Sequence, residues 1–393
     1  MCDSCIWGRG SAAIIGLLQR NYKVNDGMIG KSVCLTDLDY SQVEQLMAEM
    51  GEPVYRARQL QNWIYKQLAG TFADMTNLPG AFRRKLIEKA RLHSLEPVRE
   101  MVSKDGTVKA LFTLADNRTV ESSLMMHHVS AGKPYYTVCA STQIGCTIGC
   151  PFCATGQQGF ERNLTSGEII DQVLYFASRL RAAGAVTNHH DLPVCMVNNV
   201  VFMGMGEPLA NYDAVLKAIK VLNSNDCLGI GARNMTVSTA GLVPQIKRFA
   251  SEELQVRLAV SLHAGDNVLR NRLVPLNKRY PLEKLMKACS EYCNVTGRRI
   301  SFEYILFEGI NDSFKQARQL ASILEGIDCH VNLITASATA NEEFRAPARA
   351  TVLAFRNELR RLRVNCTVRQ RKGNDIDAGC GQLRSRFIDH RGA

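Results

Sequence analysis

Long hydrophobic runs are missing from this 393-residue chain, and the longest one near its start, Ala12–Leu18, falls well short of a bilayer span. That run also lacks a preceding basic segment and a clear small-residue cleavage site, so it is not read as a signal peptide. The expectation is a cytoplasmic protein with no membrane contact. A disulfide framework is missing as well, despite 14 cysteines. A chain of this size has no need of stapling, and Cys227, Cys289 and Cys329 sit in apolar-patterned segments where cysteine serves as a small core residue. No internal repeat or low-complexity tract stands out.

What is present describes an ordinary globular protein: 46% hydrophobic, 22% charged, with 29 Gly and 11 Pro. The length suits one large α/β domain and a smaller companion. Formal net charge is +11. Such a surplus favours a polyanionic partner, nucleic acid being the default, although a generally basic surface would produce the same number.

Residues 1–35 carry no sustained period and read as a loose extension. From Thr36 to about Ala90 the period is helical, with Val43, Leu46, Met47 and Met50, then Leu60, Ile64 and Leu68, then Phe82, Leu86 and Ile87 marking apolar faces. Asn77-Leu-Pro-Gly80 is a turn, and basic residues from Arg56 to Arg91 punctuate the helices. Val108–Leu114 and Thr119–Met126 follow as strands, joined by an Asp116-Asn117 turn. From Tyr135 strands and helices alternate. The strands are expected at Tyr135–Ser141, Val197–Met203, Asn234–Thr239, Gln255–Leu262, Ile300–Leu306 and His330–Ile334, with Thr165-Ser-Gly-Glu168 capping the first helix and Arg181–Pro193 as a surface loop. Six such units argue for parallel strands covered by helices, in an open sheet or an incomplete barrel, with the chemistry at the strands' C-terminal ends.

The strongest signal is Cys146-Thr-Ile-Gly-Cys150-Pro-Phe-Cys153 after the first of these strands. Three thiolates on a loop carrying Gly145, Gly149 and Pro151 can converge on one metal centre. Zinc usually takes a fourth ligand from a second paired motif, and none follows at a suitable distance. A 4Fe–4S cube held by three cysteines leaves one iron open. An open iron can chelate amino and carboxylate groups and pass an electron, which is the logic of reductive S-adenosylmethionine cleavage. Gly204-Met-Gly-Glu-Pro208 follows the next strand; its glycines allow close approach of a ligand, and Glu207 can accept from an ammonium group. Taken alone, that turn reads first as a plain strand-to-helix connection. Ser238 and Ser261-Leu-His263 end the third and fourth strands. Near the C-terminus, Cys380 lies in the polar, Gly-rich stretch Gly373-Asn-Asp-Ile-Asp-Ala-Gly-Cys-Gly-Gln-Leu383, as an available thiol would. Cys139, seven residues before the cysteine loop, is either a second such thiol or a structural one.

The C-x3-C-x2-C spacing with Phe152 before the last cysteine resembles the radical S-adenosylmethionine superfamily signature, and the glycine turn resembles that superfamily's methionine-binding turn. Val138–Gly159 together with Gly373–Leu383 resembles the RlmN/Cfr family of RNA methyltransferases, with motifs in matching order from about Glu121 to the end. The resemblance implies an α/β fold: a partial (βα)6 radical-SAM barrel with a small basic N-terminal accessory domain and a C-terminal extension. The divisions are residues 1–35, an RNA-binding accessory domain at 36–128, a radical-SAM core at 129–370 and a C-terminal segment at 371–393. It implies a 4Fe–4S cluster on Cys146, Cys150 and Cys153, and S-adenosylmethionine at Gly206, Glu207, Ser238, Ser261, Leu262, His263 and Ser337. Ser337 stands where the family usually has an Asn, so that contact passes to a shorter hydroxyl. It implies that one S-adenosylmethionine methylates Cys380, that a radical from a second removes hydrogen from this methyl group, and that the carbon radical adds to an adenine ring. Glu121 then matches a proton acceptor, and Cys139 resolves the protein–RNA crosslink through a transient disulfide with Cys380.

Radical addition suits an adenine ring carbon because that carbon is not nucleophilic; the cofactor brings the chemistry and the protein positions it. Asp375-Ile-Asp377 resembles the C2-methylating type rather than the C8 type. The implied partners are 23S rRNA, tRNA and an external flavodoxin- or ferredoxin-like donor, with the protein a monomer. Two other classes remain: a radical enzyme acting on a non-RNA substrate, which would need neither Cys380 nor Cys139, and a zinc-stabilised RNA-binding protein, towards which only Cys2-x-x-Cys5 leans. Arg369, Arg371, Lys372, Arg384 and Arg386 could line a phosphate track, whereas Arg360–Arg363 read as a solvated helix face.

Overall fold

The computed structural model describes residues 33–128, 134–184, 188–189, 192–193, 197–336, 343–373, 375–376 and 381–384. In chain order the elements used below are helices α1 (Tyr40–Glu49), α2 (Tyr55–Gln61) and α3 (Gly80–Lys89), then strands β1 (Leu95–Val102), β2 (Val108–Leu114), β3 (Thr119–His127), β4 (Tyr135–Cys139) and β5 (Gln143–Gly145). They continue as α4 (Ala154–Gln157), β6 (Phe160–Asn163), α5 (Ser166–Ala182), β7 (Val197–Phe202), α6 (Tyr212–Asn223), β8 (Met235–Thr239), α7 (Val243–Ala250), β9 (Arg257–Ser261), α8 (Asn267–Leu273) and α9 (Leu282–Thr296). The last are β10 (Ile300–Leu306), α10 (Phe314–Ile323), β11 (Cys329–Thr335), α11 (Arg349–Arg361) and β12 (Cys366–Val368). The chain divides into two compact units: residues 1–140, 164–200 and 213–231 form one, and residues 141–163, 201–212 and 232–393 the other.

In the first unit, β1 to β4 form an antiparallel meander. Strand β1 was not expected, because Leu95-Glu-Pro-Val-Arg-Glu-Met-Val102 lacks clean alternation; Pro97 sits at a register shift, where a missing N–H costs no ladder bond. The expected Asp116-Asn117 turn is found, with Asn117 at φ 62°. One face of the meander is covered by α5, whose Tyr175 and Phe176 stand edge-on to Phe112 at 4.9 and 6.5 Å. Helix α5 opens with the expected capping box, Thr165 Oγ1 accepting from Glu168 N at 3.1 Å and Glu168 returning a bond to Thr165 N, worth about 1 kcal/mol. Arg181, expected in a loop, lies in its last turn and donates to the Lys66 and Gln67 carbonyls.

Asp171, fully buried on α5, ties the preceding region to this helix. It accepts from Thr36 Oγ1 at 3.0 Å and from Ser94 N and Oγ at 2.6 Å, and faces His93 Nδ1 at 3.2 Å. Gly167 lets Asp37 reach the helix's first-turn amides: a methyl group there would meet Asp37 Oδ1 at 2.8 Å, where Gly167 N donates at 2.7 Å. The compact unit holding the expected accessory region therefore also takes in α5 and most of α6.

In the second unit, β8 to β12 are parallel and each pairs with the next. Strand β12 was not expected from its three residues. Residues Phe302, Tyr304 and Leu306 are buried, Tyr304 lying 5.4 Å from Phe355 of α11, while Ser301, Glu303 and Ile305 take the other face. On that second face the register lines up Ser261, Glu303, Asn332 and Thr367 across four strands. Polar side chains there mark the sheet surface the helices leave uncovered. Cys227 and Cys289 are buried, as their apolar settings implied, while Cys329 is half-buried. Arg360, Arg361 and Arg363 are exposed, and Arg361 Nε bonds Glu358 within α11 at 2.8 Å. Among the described residues no helix is long and apolar enough to cross a membrane.

Candidate active site

The cysteine loop hangs from a small hairpin in the second unit, β5 pairing antiparallel with β6. Gly145 makes this possible. It sits at φ 74°, and a methyl group on it would stand 1.7 Å from the Gly159 carbonyl, which instead accepts from Cys146 N at 2.9 Å. Inside the hairpin, Gly149 takes φ 69°, and α4 turns back so tightly that a methyl group on Gly156 would lie 2.8 Å from the Cys150 carbonyl. Cys146, Cys150 and Cys153 are all half-buried. Burial, foremost, pushes the Cys146 thiol up to about 12 and raises that of Cys150 well above its ordinary value.

Such thiols ionise together only beside a strongly cationic centre, so the donor set fits a cluster and not three solvated thiolates. Among the described residues, no three His, Cys, Asp or Glu side chains stand close enough to hold a single metal ion. Phe152 supplies the dry wall, its ring 5.2 Å from those of both His263 and Phe307 and 6.1 Å from that of Phe344.

The glycine turn after β7 is stitched to this loop by a residue the sequence reading passed over. Gln143 is fully buried; its Oε1 accepts from Glu207 N at 2.9 Å and from Thr147 N at 3.4 Å, and its Nε2 donates to Asn163 Oδ1 at 2.8 Å. Backbone contacts continue the seam, the Met205 carbonyl accepting from Thr142 N at 2.8 Å and Gln143 N at 3.1 Å, while Met205 N donates to Ser141 Oγ at 2.8 Å. Gly206 is at φ 103°, and a methyl group on it would stand 2.5 Å from Gln143 Cβ and 2.7 Å from its backbone N. Only glycine fits there.

Glu207 reaches across to the end of β8. One oxygen accepts from Leu209 N at 3.0 Å and the other from Ala240 N at 2.7 Å. At 3% exposure, burial outweighs these bonds and raises its carboxyl to about 7. Thr239 adds a side-chain hydrogen bond, and the carboxylate keeps one lone pair with which to receive an ammonium group.

Ser238 and Ser261 occupy the C-terminal ends of β8 and β9, half-buried, and Leu262 is buried. His263 follows at φ 63°, a strained backbone for a non-glycine residue, held because its carbonyl accepts from Asn311 Nδ2 at 2.9 Å and its Nδ1 accepts from Ile305 N at 3.1 Å. Burial, with Arg270 nearby, lowers the imidazole to about 3, so it stays neutral.

Arg270 is the second residue the sequence did not announce. Only 1% exposed, it donates Nε to the Leu262 carbonyl at 3.1 Å, Nη2 to the carbonyls of Ala240 at 2.7 Å and Ser261 at 3.1 Å, and Nη1 to Asn277 Oδ1 at 2.8 Å. It pins the ends of β8 and β9 with one guanidinium, and its charge acts on Cys150.

The C-terminal segment returns to the same hairpin. Gly381 has φ 80°, and a methyl group on it would meet Thr155 N and Oγ1 at 2.6 Å. Gln158 Nε2 donates to the Gly381 carbonyl at 3.0 Å, Arg384 Nη1 to Gln158 Oε1 at 2.6 Å, and Arg384 also bonds Glu161. Cys380, Ser337, Cys2 and Cys5 lie outside the described residues. In the first unit, Glu121 is buried on β3 with its carboxylate 2.8 Å from Lys109 Nζ, and Cys139 is half-buried at the end of β4. A separate cleft of about 590 Å³ in the second unit, lined by Glu325, Asp328, Cys329 and Arg363, opens at the start of β11, the strand end opposite the chemistry.

Comparison with known proteins agrees with this layout. Residues 33–92 match the ribosomal RNA large subunit methyltransferase N-terminal domain, and residues 196–321 match the radical SAM superfamily. A probable dual-specificity RNA methyltransferase RlmN of Geobacillus kaustophilus is 42% identical over 349 residues, covering 89% of this chain and 92% of its own length. The protein of the same description from Desulfitobacterium hafniense is 43% identical, covering 88% and 95%. A crystal structure of a radical SAM methyltransferase from Sphaerobacter thermophilus superposes with a TM-score of 0.83 at 44% identity, covering 89% of this chain and 98% of that one. Likeness of this extent means that the chain belongs to the RlmN family of radical S-adenosylmethionine RNA methyltransferases.

Proposed function

We propose that this protein methylates C2 of adenosine in RNA, taking as substrates a 23S rRNA adenosine at the peptidyl-transferase centre and a tRNA adenosine beside the anticodon. Relatives that carry the description "dual-specificity" support the two substrate classes. The methyl group travels on Cys380. The observation that carries this reading is the seat of Gly381, the next residue, against Thr155 of α4, two residues beyond Cys153. A C-terminal tail with only a structural role has no need of a glycine pressed onto the helix that leaves the cysteine loop.

The residues divide the work as follows. Cys146, Cys150 and Cys153 would hold the cluster, which when bound supplies the electron for reductive cleavage of S-adenosylmethionine. Glu207 and the glycine turn receive the methionine end, and Ser238 and Ser261 offer hydroxyls at the strand ends, with Ser337 as a further ribose contact. His263, neutral and buried, presents an uncharged face and keeps Phe152 in place. Phe152, Phe307 and Phe344 exclude water from the loop. Glu121 takes the ring proton, and Cys139 releases the product by forming a disulfide with Cys380. The protein works as a cytoplasmic monomer fed by a flavodoxin- or ferredoxin-like donor.

The test is anaerobic reconstitution with iron and sulfide, followed by incubation with methyl-labelled S-adenosylmethionine, reductant and unmodified rRNA or tRNA. Mass spectrometry of the digested nucleosides is expected to show 2-methyladenosine from the wild type and none from Cys380→Ala. 8-Methyladenosine would transfer the protein to the C8 type, and release of 5′-deoxyadenosine without a methylated nucleoside would remove RNA as the substrate.

A further inference from the structure

One face of the antiparallel sheet of the first unit carries, around the buried Leu111, a set of polar side chains that its packing does not require. In register, Lys109 of β2 stands opposite Ser123 of β3, and Ser123 stands opposite Cys139 of β4. Directly paired residues share a face, and Glu121, two before Ser123, shares it too. The ammonium of Lys109 lies 2.8 Å from Glu121 Oε1, with the two side chains only 2% and 3% exposed. The opposite face of the same strands carries Ala110, Phe112, Val120 and Leu124, all buried. A buried ion pair is a poor way to stabilise a sheet, since apolar residues of equal volume do as well or better without desolvating two charges. Its place on the face that bears the Cys139 thiol points to chemistry rather than packing.

We propose that Lys109 is a positioning residue for the proton transfer: its ion pair holds Glu121 aimed along the face that also bears Cys139. This rests on the reading of Glu121 as proton acceptor. In the step served, a ring C–H bond breaks, its electron pair stays with the ring, and the proton forms an O–H bond on Glu121. The other titratable groups that these strands place on this face are Glu96 and Arg99 on β1, opposite Thr113 and Leu111 and both exposed, His127 stacked on Tyr135 at 4.5 Å, Tyr135 itself, and Cys139. Arg99 is exposed and separated from Glu121 by Leu111, so Lys109 supplies the nearby buried charge.

The experiment measures methylated nucleoside per 5′-deoxyadenosine across pH for the reconstituted full-length protein. Glu121→Gln comes first. Wild-type product from that variant would sink the reading of Glu121, whatever Lys109 does. With Glu121→Gln blocked, Lys109→Met and Lys109→Gln are expected to lower the ratio about tenfold at neutral pH, while Lys109→Arg keeps the wild-type ratio and profile. A folded Lys109→Gln protein with the wild-type ratio and profile overturns the proposal while leaving Glu121 in place. Should both neutral variants fail to fold, Lys109→Arg decides: a displaced profile despite retained charge also overturns it.

Discussion

Replacing Arg270 with Met removes a guanidinium while keeping most of the side-chain volume, which makes it a clean probe of how the site is held. Four hydrogen bonds go, three of them to the carbonyls of Ala240, Ser261 and Leu262. Bonds from a charged donor contribute about 1.5–3 kcal/mol each, a gross loss of about 6–12 kcal/mol. Against this stands the desolvation of a cation buried with no carboxylate partner among the described residues, several kcal/mol that the variant recovers. The net expectation is a loss of about 3–5 kcal/mol, because acceptors left dry and unpaired cost more than the cation's desolvation returns. Arg270 itself is lowered only to about 10 by burial, so it carries its charge at neutral pH. Urea unfolding of the apoprotein, followed by circular dichroism, measures the loss directly. Arg270→Lys separates the alternatives: a lysine keeps the charge near Cys150 but cannot reach both strand ends, so it should recover cluster loading better than stability. A Met variant within about 1 kcal/mol of the wild type would refute the reasoning.

Two further outcomes follow from the same geometry. Gly206→Ala forces a side chain into φ 103° and against Gln143, and should cost at least about 2 kcal/mol in urea unfolding and weaken S-adenosylmethionine binding in equilibrium dialysis; unchanged binding would mean that the turn does not touch the cofactor. Cluster loading should release at least two protons, because burial keeps the Cys146 and Cys150 thiols protonated in the apoprotein. The sign follows from competition: protons and iron contend for the same sulfurs, so loading strengthens as pH rises from 6 to 9, by up to about tenfold per unit for each thiol displaced. An indicator dye in weakly buffered solution reads the release, and loading independent of pH would contradict it.

Strands whose burial is written in their own residues were legible. The run Ile300–Leu306 was bounded correctly because one face of it is continuously apolar, and Val108–Leu114 for the same reason. Strand β1 was not, since its Pro97, Arg99 and Glu100 are acceptable only given β2 beside them and α5 behind, where Arg179 Nε meets Glu100 at 2.8 Å. The site divides along the same line. The cysteine spacing and the glycine turn declare themselves locally, because loop geometry is a property of a few adjacent residues. Gln143, Arg270 and Lys109 do not, because each acquires its role from partners brought in by the fold. Gln143 meets Glu207 across 64 positions, and Arg270 meets Ala240 across 30.

That division bears on how the site is built. Two loops that must present a cluster and a cofactor at a fixed spacing cannot rely on their own stiffness, since both are glycine-rich and glycine restricts the backbone least. The spacing has to be imposed from outside. Gln143 does this with a single amide: its oxygen takes N–H groups from both loops and its nitrogen anchors on β6, the far side of the hairpin. A carboxylate in the same place could take the two N–H groups but could not donate to Asn163 Oδ1, and would add charge beside the thiolates and Glu207. A lysine could donate but not accept. Only an amide satisfies both loops and the hairpin without charge, and Gly206 is needed because the turn must come close enough for that amide to reach Glu207 N. The glycine that was legible in the sequence and the glutamine that was not are therefore two halves of one constraint.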